Sequence, residues 1–150
     1  MRDIIERADI GRSTFYEHFD GKDALLQQSI EPLFDVLAQT VGRGPQPPQL
    51  LGIVEHFWQQ RRIGRIVFSG KPRRVLTELL ARLIEQRLRE RLTGTKGLPL
   101  VPLRLAAAQL AHAQLELLVA WLANADCPAE AIAKALYAST NAAAAALLRD

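Results

Sequence analysis

The stretch Ile10–Leu26, IGRSTFYEHFDGKDALL, decides how the chain is read. Just ahead of it, RDIIERA has the apolar spacing of a helix of barely two turns. A short turn, DIGR, follows, then a second short helix, STFYEHF, and DGKDALL opens a longer one. Two short helices joined by three or four residues make a helix-turn-helix, whose second helix suits the DNA major groove. In that arrangement Ile4, Ile5 and Ala8 pack on Ile10, Phe15 and Phe19. Arg12, Ser13, Thr14 and Glu17 then face outward, flanked by Tyr16 and His18.

These side chains suit contact with a duplex. The hydroxyls of Ser13, Thr14 and Tyr16, the His18 imidazole and the Lys22 ammonium are donors of short reach, matched to phosphate oxygens. Lys22 lies in the first turn of the longer helix, where unpaired backbone N–H groups and the positive dipole end also favour an anion. Arg12 is the candidate for reading a guanine through paired donors, and Thr14 for a thymine methyl.

Working outward, periodicity is helical throughout, and the expected class is all-α. Leu26, Ile30, Leu33, Phe34, Leu37 and Val41 recur at threes and fours, one stripe on a helix from about Lys22 to Val41. GRGPQPP ends it. QLLGIVEHFWQQ starts a second amphipathic segment, and IGRIVFSG a shorter one that stops at Gly70 before Pro72. Val75, Leu76, Leu79, Leu80, Leu83, Ile84 and Leu88 draw a strong stripe, with Glu78/Arg82 and Glu85/Arg89 as expected i,i+4 pairs. Two alanine-rich runs, about Pro102–Asn124 and Pro128–Leu148, are joined by so short a link that they form an antiparallel hairpin. Its mixed Ala and Leu surface is wider than one neighbour covers, which predicts a twofold homodimer closed as a four-helix bundle. An ordinary alanine-rich core hairpin within a monomer is the plainer alternative.

The single cysteine, Cys127, admits no internal disulfide and suits a reducing compartment. No uninterrupted apolar run of spanning length and no signal peptide is read, so the expected location is cytoplasmic, away from membranes. Net charge is +3 over 150 residues, unevenly spread. Residues 1–30 hold four Lys and Arg against six Asp and Glu, and residues 61–96 hold eleven against three. Scattered histidines, with no carboxylate pair, phosphate loop or metal cluster, leave nothing to anchor a reaction. The expectation is a protein that is not an enzyme and needs no cofactor or metal.

The segment ADIGRSTFYEHFDGKDALL resembles the DNA-binding signature of the TetR/AcrR family of transcriptional regulators, matched at Thr14, Phe15, Tyr16, His18, Phe19, Lys22, Leu25 and Leu26. Asp9 stands where that pattern has a turn glycine, and Gly11 where it has a capping serine. The resemblance implies a helix-turn-helix region with its connecting helix over residues 1–40 and a helical ligand-binding and dimerisation domain over 41–150. It implies a regulator of transcription, a repressor released from a palindromic operator by a small molecule, acting as a homodimer on double-stranded DNA. DNA contacts fall on Arg12, Ser13, Thr14, Tyr16, His18 and Lys22. It also implies one further helix ahead of RDIIERA, so a truncated chain with weak or absent DNA binding is expected. For the effector pocket, the long helix offers Phe34 and Leu37, facing His56, Phe57, Phe68, Leu79, Leu83 and Trp121; His112 is read as a buried polar residue. The alternative is a helical dimer that binds a small apolar ligand or a protein and has no DNA function.

Overall fold

Leucines spaced by three and four residues need helices to bring them to one side, and helices are what form. The computed structural model describes residues 21–124 and 126–149, and among these all regular structure is helical. The elements are α1 (Lys22–Ala38), continued by a 3₁₀ turn over Gln39–Val41, α2 (Leu50–Gln59), α3 (Arg61–Ser69), α4 (Arg73–Leu92), α5 (Leu103–Asn124) and α6 (Ala129–Leu148). The helix-turn-helix reading, with Arg12, Ser13, Thr14, Tyr16 and His18, lies outside the described residues.

Helix α1 starts at Gly21, whose φ of 82° places it in the left-handed region that glycine enters without a Cβ penalty. Its buried residues, Ile30, Phe34, Leu37 and Ala38, fall on one stripe, while Pro32 sits inside the helix on the exposed side. Helix α4 lies against both α1 and α5, burying Leu76, Leu79, Leu80, Ile84 and Leu88. Arg87 fastens α4 to α1 by donating to both Asp35 carboxylate oxygens, at 3.0 and 3.2 Å. One turn on, Arg91 donates to the Val41 carbonyl at 2.7 Å. The hydrogen bond to Asp35 raises the Arg87 pKa above its ordinary value, against an opposing effect of burial. Arg87 and Asp35 are 32% and 41% exposed, so solvent screens the pair. Arg87→Met is expected to cost about 1 kcal/mol, read as a lower urea midpoint with an unchanged slope.

Of the two expected pairs along α4, Glu85–Arg89 forms at 2.7 Å. The other differs: Glu78 takes Arg74 at 3.1 Å rather than Arg82. A carboxylate with an arginine one turn away on either side needs only one of them.

The α5–α6 hairpin closes as expected, with the Trp121 indole N–H donating to the Cys127 carbonyl at 2.9 Å across the link. Deeper in, Gln114 Nε2 donates to Leu37 O, Thr40 Oγ1 and Thr140 Oγ1 at 3.2, 2.8 and 3.2 Å, tying α1 and its 3₁₀ extension to both hairpin helices. Asn141 adds a bond to Gly42 O at 2.7 Å. No uninterrupted apolar run of spanning length occurs in either helix, since Gln109, His112 and Glu116 break up α5 and Lys134, Thr140 and Asn141 break up α6. By length and composition alone, α5 (mean hydropathy 1.3) and α6 (1.2) are each long and apolar enough to cross a membrane. The cause is alanine, which is counted as apolar yet small. Both helices bury one side in the common core, where α5 contributes Leu110, Leu115, Leu118 and Trp121 and α6 contributes Ile132, Leu136 and Leu148.

Candidate functional site

Lys22, the first residue of α1, is exposed at the helix start, with Asp23 beside it in the first turn. About a turn further along α1, the helix helps to enclose a cavity of about 300 Å³ with α2 and α3. Leu26, Ile30 and Leu33 form the α1 wall, Phe57 the α2 wall, and Val67 and Phe68 the α3 wall. Two small residues, Ser29 on α1 and Gly64 on α3, are also among its lining. Gly64 also lets α3 lie close to α5, since a Cβ there would meet Leu122 Cδ1 at 3.3 Å.

The cavity's chemistry is mainly apolar with a few polar groups. Ser29 spends its proton on the Leu26 carbonyl at 3.0 Å and keeps its lone pairs. His56 and Gln60, the other polar lining groups, are exposed and have no side-chain hydrogen-bond partner among the described residues. Among the described residues, none that lines it is Asp, Glu, Lys or Arg. Such a surface suits a small, largely apolar molecule with one or two hydrogen-bonding groups. The described lining residues carry no charge to neutralise a charged one. Below it the rings form a ladder. Phe57 meets Phe68 edge-on at 5.5 Å, and Phe68 stacks on Phe34 at 6.2 Å, so the cavity floor continues into the buried stripe of α1.

The structure brings three of the expected pocket residues, His56, Phe57 and Phe68, to one cavity. It places the other five elsewhere. Phe34, Leu37 and Leu79 are core residues, Phe34 one ring below the floor; Leu83 is half-buried on α4. Trp121 packs on Trp58 at 5.2 Å. Leu26, Ser29, Ile30, Leu33, Gln60, Ile63, Gly64 and Val67 line the cavity without having been expected to. His112 is corrected: it is exposed, with Nδ1 at 2.8 Å from the Ala108 carbonyl, because α5 turns that side away from the core. No cluster of three His, Cys, Asp or Glu that could hold a metal ion occurs among the described residues.

Residues 1–28 match the family model described as bacterial regulatory proteins, tetR family. Over those residues the front of this chain is similar to TetR-family regulators. The match runs without a break into α1, through Lys22 and as far as Gln28, so it includes Leu26 of the cavity wall. The matched segment thus shares a helix with the candidate pocket. No curated protein and no solved structure matches the chain.

Proposed function

We propose that the protein is a cytoplasmic, DNA-binding transcriptional regulator of the TetR type, a homodimeric repressor whose grip on a palindromic operator is released by a small molecule. One observation carries the reading: the TetR-family match ends inside α1, and that helix also walls the apolar cavity. A ligand that binds differently to two positions of α1 shifts the balance between them, and DNA affinity follows. The twofold partner is a second copy across α5 and α6. Exposed Ala131, Ala135, Ala138 and Ala142 line one side of α6, and Leu105, 49% exposed, stands at the start of α5. Dimerisation would set two reading heads about one DNA turn apart, roughly 34–36 Å.

The test starts from a random duplex pool enriched on the protein. A twofold-symmetric sequence is expected to emerge, bound only weakly, by a species of twice the 16.7 kDa chain mass in sedimentation equilibrium. Binding should weaken steeply with salt, and Lys22→Ala should lower the log–log salt slope by about 0.9 per protomer if each Lys22 neutralises one phosphate. A screen of small, uncharged aromatic compounds should find one that raises Tm and releases DNA. His56→Ala, at an exposed residue, should weaken that compound while leaving apo stability within about 0.5 kcal/mol. Binding of the compound without any sequence-selective DNA binding would favour the purely ligand-binding alternative.

A further inference from the structure

A second cavity, of about 170 Å³, lies in the hairpin between α5 and α6. Its floor is made of buried residues, Leu110 and Gln114 from α5 and Leu136 and Thr140 from α6, and its rim includes Ala113, Ser139 and Ala143. One atom of this floor is unexplained. Gln114 is 1% exposed, and its Nε2 faces three acceptors with two protons to give, Leu37 O, Thr40 Oγ1 and Thr140 Oγ1. Its Oε1 is buried with no partner among the described residues. A buried acceptor left without a donor is costly. With the nitrogen held by α1, its 3₁₀ extension and Thr140, the oxygen is the polar atom that the amide has left for the groove.

We propose that this groove is a second ligand site, for a small neutral molecule that carries one ring and one O–H or N–H donor. The size fits, since an apolar cavity of about 150 Å³ holds benzene. The polarity fits as well: Gln114 Oε1 lacks a donor, and at the rim Ser139 Oγ spends its proton on the Ala135 carbonyl at 2.6 Å and keeps its lone pairs. None of the described lining residues is Asp, Glu, Lys or Arg, so an ion would lose its hydration there without gaining a counter-charge. The exposed alanine row of α6 lies about a third of a turn round the helix from the groove residues, so a second copy seated on that row leaves the groove open. A donor on Oε1 would grip the residue that ties the hairpin to the end of α1.

The site is separate from the cavity between α1, α2 and α3 and does not depend on the reading of that cavity as an effector pocket. Its test uses phenol as the probe and toluene, of the same shape without the donor, as the control, each titrated into the isotope-labelled full chain and followed by NMR. Phenol is expected to give saturable shifts at the Gln114 side-chain amide and the Ala113 and Ala143 methyls, and to bind at least threefold more tightly than toluene. In Gln114→Leu that preference should vanish. Ala143→Leu and, from the opposite wall, Ala113→Leu should each abolish the shifts by filling the groove, while signals from Gly64 and Val67 in the other cavity respond as in the parent. Equal binding of phenol and toluene by the parent would overturn the proposal, because the oxygen would then be out of reach. So would shifts confined to the other cavity, contacts from the Gln114 amide to water only, or groove signals that move with protein dilution rather than with phenol, which place a second copy there.

Discussion

Gln114→Glu is expected to destabilise the protein by about 3–5 kcal/mol at pH 7.5, the scale seen when a buried charge is left uncompensated. Gln114 is 1% exposed, and its amide nitrogen faces three acceptor atoms on α1, its 3₁₀ extension and α6. Its own carbonyl oxygen, Oε1, is buried with no partner among the described residues. Glutamate keeps the shape but exchanges the only donor for a second acceptor and a charge. Burial disfavours the ionised form, so the folded-state pKa of the new carboxyl lies above the unfolded value of about 4.3. The unfolded state then ionises first as pH rises. The loss is therefore smallest below about pH 4.3, grows through the interval up to the folded pKa, and is level above it. Urea melts at pH 4.5 and 7.5 should show the gap to the parent protein widening at the higher pH. Gln114→Leu, which removes the donors but adds no charge, should cost about 1–3 kcal/mol with no such widening. A Gln114→Glu loss that is equal at both pH values would mean that the carboxylate reaches water, and would refute the buried joint.

Phe34→Ala is the second large effect, at about 3–5 kcal/mol, the range for emptying a buried aromatic site. Phe34 is fully buried and stacks on Phe68, which itself forms the cavity floor. For a domain of this size such a loss lowers Tm by roughly 10–15 °C. The void would lie directly beneath the existing cavity, separated from it by one ring. Benzene or indole should therefore raise the Tm of the variant more than that of the parent, because a dry apolar void takes such ligands. Equal shifts in both proteins would show that Phe68 collapses into the space and that the two volumes never join.

The helices from α1 onward were legible because each announces itself locally. The stripe from Leu26 to Val41, the stop at Gly70 and Pro72, and the short link before Pro128 all fall where the elements begin and end. What was not legible depends on partners far apart in sequence. Arg87 reaches Asp35 across 52 positions, and Gln114 reaches Thr40 across 74; spacing along one helix says nothing of either. The cavity shows the same limit. Large side chains such as Leu37, Leu79 and Trp121 look like pocket lining, yet their size is what drives them to fill space completely. The cavity is lined instead by residues nearer the edge of the core, such as Leu26, Leu33 and Ile63.

Pro32 gives α1 an uneven stiffness along its length. With no N–H at that position, the rung back to the Gln28 carbonyl is absent. Leu26 and Ile30, on the cavity wall, lie before the gap; Phe34, Leu37 and Ala38, set in the core, lie after it. Tilting the leading half against the anchored half breaks one bond fewer than it would in an uninterrupted rod, so the softest point of α1 adjoins the place where a guest molecule would press on it.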